Sequence, residues 1–235
     1  TILEKYGIRK PLISYYKPKE KTKSKKILEM LEEGKNLALI TDAGTPLISD
    51  PGSIIVSEAH ERGIKVISIP GPSSVTAALS ISGFAGDKFI FEGFLPKKKG
   101  ELEKRLSLIK SLPHTIVFFV PGRDLKNILQ FILKHLGNRK ICIVRELTKY
   151  YEEIKIGYIE EILDSLVESK GEITVIVEGI AIKDVKNSWD ENFIRKFIKN
   201  KMQQGFSFKD VVKFEEVANV KRNQLYKIWQ EVKDE

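Results

Sequence analysis

The chain has 235 residues, with 40 lysines and arginines against 32 acids, a formal charge of +8 and 42% hydrophobic residues. At about 150 residues per domain this is material for one or two cores, and the apolar content excludes an unfolded chain. The longest apolar runs, Thr115 to Pro121 and Ile173 to Val177, are too short for the roughly 20 residues of a membrane span, so no membrane partner is expected.

Ile2 to Tyr6, before Gly7, reads as the end of a helix already under way, and no signal peptide is expected. Apolar residues at helical spacing predict a helix over Thr22 to Glu33, stopped by Gly34. Asn36 to Thr41 reads as a strand, followed by a turn-rich loop from Asp42 to Gly52 and a helix over Ile54 to Glu61 with Asp50 as its cap. Lys65 to Ile69 is a second strand, Pro70 to Ser73 a loop, and Ser74 to Ile81 a helix of small residues. Strands are then expected over Lys88 to Phe94, Thr115 to Val120, Lys140 to Arg145 and Ile173 to Val177, with an extended run from Tyr151 to Ile156. Helices fall between them over Glu101 to Leu112, Asp124 to Leu136 and Ile159 to Ser169. Strands that adjoin around Leu147 to Tyr151 imply a hairpin, hence a mixed sheet in an α/β protein. After Gly179 three helices are expected, Trp189 to Gln204, Ser207 to Val217 and Lys221 to Val232, the last pair in helix-turn-helix form about Asn219 with Leu225, Ile228 and Trp229 as the buried stripe.

Cys142 is the only cysteine and sits in an apolar run, which excludes an internal disulfide and fits a reducing, cytoplasmic location. His60, His114 and His135 have no partners at metal-site spacing, so no metal is expected. The loops Asp42 to Pro46 and Pro70 to Ser74 both follow strand ends, where ligands of open α/β sheets bind, and both are rich in glycine and small residues that let a ligand approach the backbone. Neither matches the GxGxxG or GxxxxGK[ST] phosphate patterns, which lowers the case for NAD or ATP.

These segments carry a resemblance. Leu39-Ile-Thr-Asp-Ala-Gly-Thr-Pro-Leu-Ile-Ser-Asp-Pro-Gly52, Pro70-Gly-Pro-Ser-Ser74, Phe91-Glu-Gly-Phe-Leu-Pro96, Arg145-Glu-Leu-Thr-Lys149 and Gly171-Glu-Ile-Thr-Val-Ile-Val-Glu-Gly179 occur in this order. Together they resemble the bacterial small-subunit ribosomal RNA cytidine 2'-O-methyltransferases of the tetrapyrrole methylase superfamily. The resemblance implies two α/β domains that are not Rossmann folds, a cleft between them for S-adenosylmethionine, and methylation of a cytidine ribose in 16S RNA near the decoding centre. It also implies a homodimer. The expected parts are an α/β domain at 1–70 lacking its first strand-loop-helix, a second α/β domain with a mixed sheet at 71–180, and a helical RNA-binding tail at 186–235.

Carried over residue by residue, the resemblance puts Gly44, Thr45, Pro46, Leu47 and Ile48 beside the cofactor, with Ser73, Ser74 and Val75 in the next loop. Phe119, Val120, Glu172, Ile173 and Thr174 fall where the second domain closes over the adenosine. A weakly acidic ribose hydroxyl needs a proton acceptor as it attacks, and Glu92, Glu146 and Lys149 stand at strand ends as candidate catalytic groups. RNA contacts are expected from Lys97, Lys98, Lys99 and Arg123, whose charge suits phosphate, and from Lys221, Arg222 and Lys227 in the tail. Residues 1 to 35 add ten basic residues against five acids. Two alternatives stay open on the residues alone: methylation of a porphyrin precursor, an anionic macrocycle that also suits a basic cleft, and a helix-turn-helix regulator without turnover. The tail's modest balance, 12 basic to 9 acidic residues from Ala181 onward, speaks against the regulator.

Overall fold

The computed structural model describes residues 2–166, 171–180, 191–217 and 220–234. The chain divides into two compact units, Thr1–Ile81 and Ser82–Glu235, so nearly all of the small-residue helix after Ser73 goes with the first. No described helix is long and apolar enough to cross a membrane.

The first unit contains helices α1 (Ile2–Lys5), α2 (Glu20–Glu32), α3 (Ser53–Glu61) and α4 (Ser74–Ser82). On α2 the residues Glu20, Ser24, Ile27 and Leu28 lie on one buried face, the i, i+4, i+7, i+8 spacing of a core-facing stripe. Arg62, just past α3, joins it to α2 through Glu32 at 2.8 Å. The two strands expected here are not formed: among the described residues Asn36 to Thr41 and Lys65 to Ile69 take part in no ladder. Their apolar side chains are exposed, Ile40 at 59% and Ile69 at 83%. Composition marks a segment as suited to a sheet, but a strand exists only where a neighbour supplies the matching N–H and C=O groups. A second correction concerns Asp50. The cap position of α3 is Gly52, and the Asp50 carboxylate instead accepts a hydrogen bond from the Thr41 hydroxyl at 2.7 Å.

The second unit is built on a five-stranded mixed sheet: β1 (Phe89–Phe94), β2 (Thr115–Pro121), β3 (Lys140–Arg145), β4 (Glu153–Tyr158) and β5 (Glu172–Val177), in the order β1-β2-β5-β3-β4. β1 and β2 are parallel and every other pair antiparallel, with Arg145 opposite Glu153 in the expected hairpin. Alternation sorts the side chains. Ile116, Phe118 and Val120 of β2 and Ile173, Val175 and Val177 of β5 share one core with helices α5 (Lys99–Ile109), α6 (Leu125–Leu136) and α7 (Ile159–Asp164). On α6 the buried Leu125, Leu129, Ile132 and Leu136 again show helical spacing. The expected helix over Ile159 to Ser169 ends as α7 at Asp164, and its last positions lie outside the described residues.

Beyond β5, α8 (Glu191–Gln203), α9 (Phe208–Val211) and α10 (Arg222–Asp234) enclose a small core of Ile194, Ile198, Val211, Leu225, Ile228 and Val232. Leu225 and Ile228 are buried as expected, and Trp229 packs against this core. Ser207 caps α9, its backbone N–H donating to Asp210 at 3.1 Å. The helix expected over Ser207 to Val217 is instead a four-residue turn and a 3-10 piece, Glu215–Val217, because the hydrogen bonds tighten to the third residue back at Phe214. Trp189 and Asn219 fall outside the described residues.

The Lys201 ammonium lies 4.5 Å from the Phe214 ring centre, 5.1 Å from Phe206 and 5.7 Å from Phe197. A cation against three ring faces is worth about 1 kcal/mol or more at a partly exposed site. Lys201→Gln should therefore loosen the tail, and hydrogen exchange of the α8 and α10 amides should quicken about fivefold. Unchanged exchange would show that the three rings hold together without the cation.

Candidate functional site

In the first unit, the loop from Asp42 to Gly52 is held at several points. The Thr45 hydroxyl donates to the Pro72 carbonyl at 3.0 Å, which joins this loop to the one that opens α4. Gly44, Leu47 and Ser49 all have positive φ, at 69°, 72° and 66°. Two non-glycine residues in this region within three positions mark a backbone kept in a costly shape. Its brace comes from α2: the Gly52 N–H donates to Glu20 Oε1 at 2.7 Å, and the Tyr15 hydroxyl reaches Ser24 at 2.8 Å and Glu20 at 3.4 Å. Burial pushes the Tyr15 phenol up. Glu20 and Tyr15 escaped the sequence reading, since an acid in the first turn of a lysine-rich helix looks like a solvated charge.

Thr45, Pro46 and Leu47 are half-buried, Gly44 and Ile48 exposed. Ser73 and Ser74 are half-buried, while Val75 is buried at 5% exposure and serves as packing.

In the second unit, strand directions bring one set of ends to one edge of the sheet. Phe94 of β1, Pro121 of β2 and Arg145 of β3 end there, and Glu153 of β4 and Glu172 of β5 begin there. The segments carrying Lys97, Lys98 and Lys99, Arg123, and Glu146 to Lys149 therefore leave the sheet on the same side. Glu146, at φ 49°, accepts from the Glu172 N–H and from the Lys149 ammonium, each at 3.2 Å. These two donors, the backbone one first, hold its carboxyl below the usual carboxylate range. The anion and its two contacts are thus present above that range and lost only as pH falls through the lowered value.

Arg145 pairs with Glu153 at 3.1 Å, and its Nε is enclosed with no acceptor among the described residues. Of the lysines, Lys98 pairs with Glu101 at 3.2 Å and Lys99 sits 5.8 Å above the Phe131 ring. Lys97 has no ion-pair partner among the described residues, and Arg123 is 79% exposed with Asp124 at 3.9 Å. In the tail Lys221, Arg222 and Lys227 are all exposed.

The remaining positions divide by sheet face. Val120 and Ile173 point into the helix-covered core, so only their backbone can meet a ligand. Phe119 and Thr174, directly opposite each other, share the other face, where Phe119 packs on Phe91 at 5.0 Å and Phe94 at 5.4 Å. Glu92 lies at a bulge in β1, where the register shifts between Phe91 and Phe94. Its side chain is 2% exposed and both oxygens accept from the Arg105 guanidinium, Nη2 at 2.8 Å. A carboxylate committed to a guanidinium at both oxygens acts as an anchor between β1 and α5. Glu92→Gln should cost about 1–3 kcal/mol of stability, read by thermal unfolding, and leave ligand affinity of the first unit alone. A loss of catalysis with no change in melting temperature would give Glu92 a chemical role instead.

The family model described as Tetrapyrrole (Corrin/Porphyrin) Methylases matches residues 9–163. The chain is 43% identical over 181 residues to ribosomal RNA small subunit methyltransferase I of Thermotoga maritima, covering 76% of this chain and 81% of that protein. With the protein of the same name from Bacillus subtilis it shares 35% over 227 residues, 94% of this chain and 78% of the relative. Against the Mesorhizobium japonicum relative the match spans 62% of that protein's length. Among solved structures, diphthine synthase superposes with a TM-score of 0.54 at 16% identity, covering 75% of this chain and 72% of that one. The methyltransferase CobJ does so at 0.52 and 22%, covering 67% and 70%, and both likenesses speak for the fold alone. Residues 9–163 span both constrained loops and the sheet edge that carries Glu146, and the chain belongs to the tetrapyrrole (corrin/porphyrin) methylase family.

Proposed function

We propose that the chain transfers a methyl group from S-adenosylmethionine to the ribose 2'-hydroxyl of a cytidine in small-subunit (16S) ribosomal RNA near the decoding centre. The observation that carries this reading is the 43% identity, across 76% of the chain, to a protein named ribosomal RNA small subunit methyltransferase I.

The donor fits the first unit's paired loops. Open space surrounds Gly44, and the Thr45 to Pro72 hydrogen bond gathers two stretches of accessible backbone in one place. In the first unit the proposed contacts are Gly44 to Ile48, Ser73 and Ser74, with Val75 packing the start of α4; in the second they are Phe119, Val120, Glu172, Ile173 and Thr174. S-adenosylmethionine supplies a methyl group on a sulfonium, activated without acid catalysis. The protein's share of the work is to hold the hydroxyl in line and to accept its proton.

Glu146 is the proposed acceptor, kept ionised by the Glu172 N–H and Lys149 and so able to take a hydrogen bond from the ribose at neutral pH. Lys149 both orients Glu146 and offers charge to a neighbouring phosphate. Glu92 acts at one remove, keeping β1 and its following loop in place through Arg105. Lys97, Lys98, Lys99 and Arg123 contact the RNA backbone from the same sheet edge, with Lys221, Arg222 and Lys227 in the tail. A homodimer is supported by β4, an edge strand that leaves Ile154, Ile156 and Tyr158 exposed at 43%, 49% and 49%. A cytoplasmic site of action agrees with the buried free thiol of Cys142, which burial pushes up to about 11.

The test incubates the purified protein with labelled S-adenosylmethionine and either assembled small ribosomal subunits or a porphyrin precursor, and digests the RNA to nucleosides. Label in 2'-O-methylcytidine is the expected result. Label in the macrocycle alone would give the chain to the tetrapyrrole branch, and RNA binding without transfer would favour a regulator. Light scattering of the same sample measures the subunit number.

A further inference from the structure

The connection between β3 and β4 presents a feature that the methyl-transfer reading does not use. Its residues Tyr150 and Tyr151 are 92% and 69% exposed, whereas tyrosine in a folded domain is ordinarily intermediate in burial. Their rings meet edge to face, with centres 5.0 Å apart and planes at 89°. In that arrangement each ring contacts the other along one side only, and a broad aromatic face stays open to solvent.

The connection is not a loose tip. Among the described residues only four other than glycine have positive φ, and two of them, Glu146 at 49° and Thr148 at 67°, stand here. A β-branched residue in the left-handed region persists only when its surroundings over-determine it. They do: the Thr148 N–H donates to the Glu152 carboxylate at 2.5 Å, the Lys149 N–H to the Glu146 carbonyl at 2.9 Å, and the Glu152 N–H to the Lys149 carbonyl at 3.2 Å. The Glu146 side chain pins the base of the connection to β5 through the Glu172 N–H. Two rings are thus held out from a fixed backbone on the sheet edge that also carries Lys97, Arg123 and Lys149.

Exposed aromatic faces set among cations are what a single-stranded nucleic acid needs: stacking for the base, charge for the phosphate. We propose that Tyr150 and Tyr151 form a stacking platform for an unstacked base beside the target nucleotide, and so fix the register of the RNA on the Glu146 edge. The inference rests on the ribosomal RNA reading above and adds the residues that read an unpaired base.

The test measures binding of purified small ribosomal subunits to the full chain and to two double variants, Tyr150→Ala with Tyr151→Ala and Tyr150→Phe with Tyr151→Phe. Donor affinity by calorimetry and mass by light scattering are recorded for each. The alanine pair should bind subunits about tenfold more weakly or worse, with donor affinity and mass unchanged, and the phenylalanine pair should bind like the parent, because stacking uses the ring and not the hydroxyl. Equal binding by the alanine pair would overturn the platform and leave the RNA reading intact, as would a phenylalanine pair as weak as the alanine one. A change of mass in the alanine pair would make the tyrosines a subunit contact. Failure of the parent chain to bind subunits at all would overturn the RNA reading, and the platform with it.

Discussion

Gly179→Ala is expected to lower the melting temperature by about 6–12 °C, which for a chain of this size corresponds to about 3 kcal/mol. A Cβ at Gly179 would stand 2.2 Å from the Pro113 carbonyl oxygen, 2.4 Å from its carbon and 2.7 Å from the His114 carbonyl oxygen. These are backbone atoms, and they cannot turn aside as the end of a side chain could. The crossing is also tied on both sides. Ile180 N–H donates to the Leu112 carbonyl at 3.2 Å, and the Glu178 N–H to the Lys140 carbonyl at 3.0 Å. Arg139 donates to Leu136, Glu178 and Lys110 carbonyls, drawing the ends of α5, α6 and β5 together. The added methyl must therefore push β5 away from the segment that enters β2, at the upper end of what overpacking costs. Thermal unfolding measures it. A shift under about 2 °C would mean that the two segments separate freely.

Gly44→Val acts for the opposite reason and on a different property. Here a Cβ meets nothing within 4 Å, and the obstacle is the backbone itself at φ 69°. A β-branched residue pays about 1–3 kcal/mol in the left-handed region, and an exposed loop escapes that strain by changing shape. S-adenosylmethionine affinity should fall about tenfold or more, with the melting temperature little altered. The ordering of substitutions is part of the prediction: asparagine, which tolerates this region, should bind best, alanine less well and valine worst. Calorimetric titration reads all three, and a valine variant with the parent's affinity would remove the loop from the donor site.

The two loops differ in how they could be found. Asp42 to Gly52 and Pro70 to Ser74 were visible as glycine and proline clusters at the ends of apolar runs, because such residues serve turns that few others allow. Their hydrogen-bonded union through Thr45, and the brace from Glu20 to Gly52, join positions 27 and 32 residues apart, which no local pattern records. Glu92 reads as a candidate catalytic group at a strand end, and its anchoring role escapes a local pattern for the same reason: its partner Arg105 lies 13 residues on, in a helix whose rotation only packing sets. Tyr151 reads as the start of an extended run and Tyr150 as part of the hairpin connection before it, and the exposure of the pair is apparent only with β4 beginning at Glu153.

By itself the sequence determined the class of fold, the mixed sheet and nearly every element of the second unit, because strands of period two and helices of period 3.6 write their buried faces into the order of residues. It also determined the family, through motifs whose glycines, prolines and small residues answer to backbone shape. Tertiary structure decided the rest. Whether Asn36 to Thr41 and Lys65 to Ile69 form strands depends on a neighbour for their N–H and C=O groups, and whether Glu146 stays ionised depends on a donor from β5, 26 residues away. Pairing and electrostatics act through space, between atoms that the chain brings together only when it folds.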